Sequence, residues 1–174
     1  MDRDSLRSVQ QPLKDRYRTE PGAALVTLWA VGSIGEGVTC SVETGRAMVE
    51  AGLHPASGGT GLSACSGDML LQALAACAGV TLKSVATSME IPIERGTVHV
   101  EGDLDFRGTM AVSKEVPVGF AAIRVRFDLE SDAPPEQLHR LVDLTERYCV
   151  VYQTLLSAPP VEVSLSSPPS VAVG

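Results

Sequence analysis

The stretch Gly58–Met89 constrains the fold of this chain more than any other. It opens with a loop rich in glycine and serine. From Asp68 onward it contains residues that favour helices, with no proline before Pro92. A helix over Asp68–Met89 would be about 33 Å long at the rise of about 1.5 Å per residue. The sequence therefore predicts a long central helix that carries Cys77 near its middle.

The predicted central helix is almost uncharged. Lys83 is the only charged residue between Asp68 and Glu90, which predicts that the helix is buried nearly all round. Ser66 or Gly67 is expected to cap its start, and the Asp68 carboxylate favours the positive end of the helix dipole. Polar residues interrupt the apolar run, so we expect a core helix and not a membrane span.

Composition bounds the class of protein. The chain has 174 residues, which suits one domain with an appendage and allows a core without disulfide or metal staples. A net charge of −7 argues against a nucleic-acid surface, which relies on clustered Lys and Arg. Residues 1–20 lack the apolar run of a secretory signal, so we expect a cytoplasmic protein with reduced cysteines. The spacing of Cys and His argues against a zinc site, and no cofactor is expected.

The chain is expected to divide into three segments. Residues 1–22 form an N-terminal helical extension, residues 23–166 the main domain and residues 167–174 a loose tail. Residues 4–18 have the spacing of an amphipathic helix, which Pro12 is expected to divide into two pieces. We expect this extension to lie across the main body or across a partner subunit.

Three short strands are predicted before the central helix. Ala24–Val31 and Val38–Glu43 are rich in residues that favour strands and flank the glycine-containing turn Gly32–Gly37, which indicates a hairpin. A tight turn then leads to a third predicted strand, Arg46–Glu50.

Alternating patterns predict strands after the central helix, over Thr97–Arg107, Ala121–Glu130 and finally Val161–Ser166. A second helix, with Asp132 as its expected cap, has an apolar stripe that includes Cys149. The order of elements predicts an α+β fold. We expect an antiparallel sheet with both helices on one face, a long buried central helix and a second, cysteine-bearing helix.

Each predicted helix places one cysteine on an interior face, so Cys77 and Cys149 meet if the helices cross. Buried cysteines are often inert small hydrophobes, and this interpretation stays open for both. A reactive thiol in the middle of a helix gains little from the helix dipole and needs an outside cation, for which Arg46 is the candidate. Cys40 is expected to be a core residue of a strand, while Cys65 is the alternative partner for Cys77.

Three segments of the chain resemble the OsmC/Ohr family of thiol peroxidases. They are Gly59–Gly61, the segment Asp68–Cys77 with its Ala-Ala-Cys end, and the segment Glu146–Leu155 with the second cysteine. The turn Thr44–Arg46 resembles the place where the family carries its active-site arginine. The resemblance covers roughly residues 24–166.

The resemblance implies an intertwined homodimer that reduces organic hydroperoxides, with sites made from both subunits. In the family the first cysteine, here Cys77, attacks the peroxide. The second, here Cys149, resolves the sulfenic acid as a disulfide, which an external dithiol then reduces. Arg46 and the acidic residue ahead of the first cysteine, here Asp68, would orient each other around the thiolate.

Two positions differ from the family pattern. Asp68 stands where relatives usually carry Glu, and Val150 stands where many carry Pro. These differences motivate an alternative function, a non-catalytic redox sensor or apolar-ligand binding protein with the same fold. Asp68 is explained equally well as a helix-start carboxylate, and Arg46 as an exposed charge on a strand.

Overall fold

The computed structural model describes residues 2–20, 32–34, 39–43 and 48–166. Its helices are α1 (Arg3–Thr19), α2 (Ser66–Ser88), α3 (Phe106–Thr109), α4 (Pro135–Tyr148) and α5 (Val150–Leu156). Its strands are β1 (Gly32–Ile34), β2 (Thr39–Glu43), β3 (Met48–Gly52), β4 (Ala64–Cys65), β5 (Arg95–Leu104) and β6 (Phe120–Glu130).

The described strands form two sheets. One has the order β1-β2-β3-β4 and is antiparallel except for the short parallel pair β3-β4, which joins Ala51 to Ala64 and Gly52 to Cys65. The other is the antiparallel hairpin β5-β6, with Val98 opposite Phe127. The predicted α+β class is therefore confirmed, with a parallel pair that the alternation of residues did not indicate.

The first hairpin differs in detail from the prediction. Gly32 was assigned to a turn, but β1 begins there and pairs with β2, which leaves a shorter connection. The third strand is described over Met48–Gly52, so it continues two residues past the predicted end at Glu50, because β2 pairs with it up to Thr39 opposite Gly52. The predicted strand Ala24–Val31 and residue Arg46 lie outside the described residues.

Helix α2 begins two residues earlier than predicted. Its N-cap is Cys65, in an extended conformation and without a side-chain cap bond, so the predicted caps Ser66 and Gly67 are wrong. The physical reason is that Cys65 also ends β4, and the chain passes directly from that strand into the first helical turn.

Helix α2 buries one stripe of residues. The prediction that it is buried nearly all round is therefore wrong for the described part of the chain. Its buried residues are spaced four apart: Leu74, Ala78, Leu82 and Ala86. Val80 lies outside that stripe and is 73% exposed. By length and composition alone α2 could cross a membrane. In the fold it packs against β5, α4 and α5, because the described elements cover only one of its sides.

The core consists of two clusters along the buried stripe of α2. The first joins Leu82, Ala86, Ile91 and Leu141, and the second joins Leu74, Ala78 and Cys149. Strand β6 closes both clusters with alternate residues, as predicted. The half-buried residues are Ile123, Val125, Phe127 and Leu129, and the exposed ones are Arg124, Arg126, Asp128 and Glu130.

Strand β5 ends at Leu104, three residues before the predicted end at Arg107. Asp105 caps the short helix α3, because its side chain accepts a hydrogen bond of 3.0 Å from the backbone N–H of Arg107. The connector that follows is closely packed at its start. A Cβ on Gly108 would lie 2.4 Å from the carbonyl oxygen of Pro117, so only glycine fits there.

The N-terminal helix is continuous. Pro12 lies inside α1 without dividing it, since a proline removes only its own N–H donor and the helix continues on both sides. Helix α1 contacts α2, and Arg3 forms an ion pair with Glu90 just after α2 ends, with 2.6 Å between Nη1 and Oε2.

The second predicted helix is two helices, α4 and α5, separated by Cys149 in an extended conformation (φ −73°, ψ 109°). Pro134 is the N-cap of α4, so the predicted cap Asp132 is wrong. The predicted final strand Val161–Ser166 is not formed within the described part of the chain. This segment has no hydrogen-bonded neighbour in the described part of the chain, and a strand needs one.

Leu141 provides a test of this core. It is fully buried (0% exposed) where α4 packs on α2. We expect Leu141→Ala to lower the free energy of unfolding by about 2–5 kcal/mol, since it leaves a cavity. Urea unfolding followed by circular dichroism measures this. Leu62→Ala, at a position that is 92% exposed, should change it by less than about 0.5 kcal/mol. Equal effects of the two variants would contradict the described core.

Candidate active site

The structure brings Cys77 and Cys149 together. Cys77 lies in the middle of α2, and Cys149 lies at the junction of α4 and α5. Both belong to the cluster around Leu74 and Ala78, and Cys149 lies near enough to Cys77 to lower its pKa as a hydrogen-bond donor. Both are free thiols. Cys149 is 1% exposed, whereas Cys77 is half-buried, so Cys77 is the more accessible member of the pair.

The backbone of Cys149 connects the two helices. Its N–H donates to the carbonyl oxygen of Thr145 at 2.9 Å, which closes α4, and its own carbonyl accepts from the N–H of Gln153 at 2.9 Å, which opens α5. The side-chain amide of Gln153 donates to the carbonyl oxygen of Glu146 at 2.8 Å. These bonds fix the direction of α5 relative to α4 and hold the Cys149 side chain toward α2.

The pKa of Cys77 lies below that of an ordinary thiol. Burial is the largest single effect and raises the pKa, but four hydrogen-bond donors together outweigh it. In order of their effect, the donors are the N–H of Val151, the thiol of Cys149, the N–H of Val150 and the hydroxyl of Thr81. Neutral donors therefore stabilise the thiolate form of Cys77.

The pKa of Cys149 is shifted in the opposite direction. Burial is the main cause of the raised pKa, and the neighbouring Cys77 sulfur raises it further, while the N–H of Tyr152 partly offsets both. The pair is therefore unequal. Cys77 loses its proton more readily than Cys149, and the thiolate that it forms is the nucleophilic state of a cysteine.

Asp68 is not brought to the thiols. It is exposed in the first turn of α2, nine residues before Cys77. Nine residues are about two and a half helical turns, so the two side chains project from opposite sides of α2. Asp68 instead lines a cavity of about 360 Å³ with Gln72 and Val98, and Cys77 is not among the residues that line it. Arg46 lies outside the described residues.

The alternative partner Cys65 is too far away. It caps the same helix that carries Cys77 twelve residues later, which corresponds to roughly 18 Å along the axis. A disulfide requires Cα atoms within about 7 Å. The side chain of Cys40 lies outside the described residues. In the described part of the chain, no three His, Cys, Asp or Glu side chains are placed to hold a metal ion.

Sequence reasoning missed the hydrogen-bond donors to Cys77. Thr81 had a usable signal, because a hydroxyl four residues after the cysteine lies on the same helical face. Val150 and Val151 had a weaker one, since two β-branched residues in succession lower helix propensity after Cys149. That their backbone N–H groups would face Cys77 depends on the break between α4 and α5.

A groove with mainly apolar walls lies near Cys149. It lies between β6 and α5, has a volume of about 410 Å³ and includes Leu74 and Tyr152 in its walls. A smaller cavity of about 50 Å³ lies at Cys149 and shares Val125, Glu146 and Tyr152 with the groove. Small organic molecules bind in apolar clefts of this kind, so the groove is a candidate substrate site.

Two unequal thiols between packed helices define an α+β protein built around a redox-capable dithiol. The chain belongs to the OsmC-like family, since the family model for OsmC-like protein matches residues 59–164. The resemblance inferred from the sequence is therefore confirmed. A search of curated protein sequences finds no match.

Solved structures share the fold. An OsmC-like protein from Mycoplasma pneumoniae superimposes with a TM-score of 0.66 at 16% identity, over 76% of this chain and 89% of that one. An organic hydroperoxide resistance protein from Legionella pneumophila gives 0.61 at 18% identity, over 77% and 92%. One from Elizabethkingia anophelis gives 0.59 at 16% identity, over 78% and 91%. At such identities the likeness establishes the fold alone.

Val150→Pro tests the backbone donors. Proline is tolerated in the first position of a helix and prefers an extended residue before it, as Cys149 is, so the change removes an N–H with little strain. Loss of this donor should raise the pKa of Cys77, because the thiolate loses stabilisation. The iodoacetamide alkylation rate of Cys77, measured against pH, should therefore reach half-maximum at higher pH than in wild type. Val150→Ala keeps the N–H and should match wild type. Coincident profiles for all three proteins would show that this donor has no effect.

Proposed function

We propose that this protein reduces organic hydroperoxides through a thiol cycle of Cys77 and Cys149. One observation carries the proposal. The two thiols lie in one cluster where α2 meets the junction of α4 and α5, and their pKa values are shifted in opposite directions. A thiol with a lowered pKa beside one with a raised pKa is the arrangement that a nucleophile and its resolving partner require.

The proposed cycle has three steps. The Cys77 thiolate attacks the terminal peroxide oxygen, the O–O bond breaks, and the alkoxide takes a proton and leaves as the alcohol. Cys77 is then a sulfenic acid, and its sulfur is attacked by the sulfur of Cys149, which forms the disulfide and releases water. An external dithiol reduces the disulfide by exchange and is itself oxidised.

Arg46 and Asp68 remain part of the proposal in different ways. Arg46 would hold the peroxide oxygens, as the family resemblance implies. Asp68 does not reach Cys77 of its own chain. It would instead orient an arginine, or contribute to the site of a second subunit. Arg46→Ala and Asp68→Asn separate these roles, because the first should slow peroxide reduction more than the second.

Apolar surface near the thiols supports an organic substrate. The groove beside Tyr152 offers side chains of Leu and Ile to an alkyl or aryl group, which hydrogen peroxide lacks. The negative net charge and the OsmC-like fold support a protein that acts on small molecules, and we place it in the cytoplasm.

Thiol counting with cumene hydroperoxide tests the cycle. Reduced wild-type protein should lose two thiols per chain, and dithiothreitol should restore them. Cys77→Ser should consume peroxide at least about a hundredfold more slowly, since loss of a nucleophile removes a larger factor in other enzymes. Cys149→Ser should react once and stop at a sulfenic acid that dimedone traps.

The matched control is Cys65→Ser. It should behave as wild type because Cys65 lies at the N-terminus of α2, roughly 18 Å along the helix axis from Cys77. If Cys77→Ser and wild type consume peroxide equally slowly, the enzyme proposal fails. A redox sensor or apolar-ligand binding protein with this fold then becomes the better function.

We also propose that the protein is a homodimer. The segment after α5 has alternating apolar residues that are almost fully exposed: Val161 (82%), Val163 (92%) and Leu165 (94%). Alternation of this kind is typical of a strand with one buried face. A partner subunit would supply the sheet that the described part of this chain does not offer.

Light scattering after gel filtration tests the dimer. Wild-type protein should elute with about twice the mass of the 18.3 kDa chain. Replacing Val161, Val163 and Leu165 together with serine should weaken association, because it removes the apolar face. Replacing the interleaved residues Glu162, Ser164 and Ser166 together with alanine should leave association unchanged. A monomer in the wild type would refute the proposal.

A further inference from the structure

We propose that Glu146, held by Tyr152, makes the groove selective for uncharged organic hydroperoxides over ionised fatty acid hydroperoxides. This inference rests on the proposed function and adds a substrate class to it. It is carried by the composition of the groove, by its connection to the thiols and by the position of one carboxylate.

The side chains that line the groove are apolar except for the Glu146 carboxylate and the Tyr152 hydroxyl. Its walls come mainly from β6 and α5, with Leu74 of α2 behind them, and its volume of about 410 Å³ suits a small organic molecule. Glu146 is the one charged residue among the described residues that line it. No described Lys or Arg side chain lines the groove, so nothing described there compensates a carboxylate on a ligand.

Glu146 lies where the groove meets the smaller cavity at Cys149. The smaller cavity beside Cys149 shares Glu146 and Tyr152 with the groove, so the two spaces adjoin at these residues. The ring of Tyr152 packs on the cluster that holds Cys149 and Cys77. Cys77 lines neither space, so we take Cys149 and its cavity as the point where a ligand in the groove comes nearest the thiol pair, next to the Glu146 carboxylate.

Two contacts hold Glu146 in this position. The Tyr152 hydroxyl donates to Oε2 of Glu146 at 3.4 Å, and the Gln153 amide donates to its backbone carbonyl at 2.8 Å. Burial and the charge of Glu146 raise the pKa of Tyr152, so its hydroxyl stays a donor. The adjacent cation, Arg147, stacks over the ring of Tyr148, with 5.6 Å to the centroid, and does not line the groove.

We expect the groove to select ligands by their charge, and we call this effect the charge filter. Glu146 is exposed to solvent at the groove, and two carboxylates close together there repel each other, with a repulsion that salt screens. A hydroperoxide with a free carboxylate should therefore bind less well than the same molecule as its methyl ester. A neutral alkyl or aryl hydroperoxide carries no such cost and gains from contact with the apolar walls.

A matched pair of substrates tests the filter. We compare kcat/KM for a fatty acid hydroperoxide and for its methyl ester, both below their micelle-forming concentrations. Wild type should favour the ester by about tenfold at low ionic strength, and the preference should shrink with added salt. Glu146→Gln removes the charge and keeps the side-chain shape and a hydrogen-bond acceptor for Tyr152. In this variant the preference should fall to about twofold or less, and it should no longer depend on salt.

The control is Glu136→Gln, the same charge change on the same helix but outside the groove. It should keep the wild-type preference. The inference is overturned if wild type reduces acid and ester equally well. It is also overturned if Glu146→Gln and Glu136→Gln retain the same preference, which is the result expected where a partner subunit fills the groove.

A binding measurement separates this inference from the peroxidase proposal. The corresponding hydroxy fatty acid and its methyl ester do not react with thiols, and their displacement of an apolar fluorescent dye can be measured in reduced protein. If no peroxide is reduced, the peroxidase proposal fails. Better displacement by the ester in wild type, lost in Glu146→Gln, would still support the filter. Equal displacement by acid and ester would overturn it.

Discussion

The break between α4 and α5 at Cys149 is the constraint on which the site depends. In a continuous helix the N–H groups of Val150 and Val151 would bond to the carbonyls four residues earlier. The extended conformation of Cys149 releases both groups, and both lower the pKa of Cys77 as hydrogen-bond donors. The carbonyl of Glu146, which loses its helical partner, accepts from the Gln153 side chain at 2.8 Å. These interactions replace part of the hydrogen bonding that the break removes.

The same break explains why the two thiols differ. Cys149 is enclosed at the junction, so burial raises its pKa, whereas Cys77 receives several donors that outweigh its own burial. Hydrogen bonds to a charged sulfur are strong in a weakly polar environment, so neutral groups can do part of what a cation does. The Cys77 thiolate is thus stabilised by described residues without Arg46. The predicted arginine is then needed mainly where charge develops, at the peroxide oxygens.

Sequence periodicity predicted the helices and strands that have one apolar face. It missed the features that depend on contacts between residues far apart in the sequence. Helix α2, strand β6 and the meeting of Cys77 with Cys149 follow from spacing, because a buried stripe points its cysteine at whatever packs on it. The break at Cys149 does not follow, since helical spacing continues through it to Tyr152. The burial of α2 was overestimated because an apolar composition does not say how many sides are covered. Asp68 was assigned by resemblance, and helical geometry turns it away from Cys77.

The break also brings together Glu146 and Tyr152, the two residues with polar side-chain groups that line the groove. Glu146 and Tyr152 are six residues apart, and in an unbroken helix their side chains would project about 120° apart around the axis. The redirected α5 brings the Tyr152 hydroxyl to the Glu146 carboxylate, at the point where the groove meets the cavity beside Cys149. One backbone conformation therefore supplies the donors that lower the pKa of Cys77 and places the carboxylate beside the cavity at Cys149. If the protein reduces peroxides as proposed, its reactivity and its choice of peroxide would depend on the same break. A change that restores a continuous helix at Cys149 would alter both together, whereas removal of the Glu146 charge leaves the backbone donors in place.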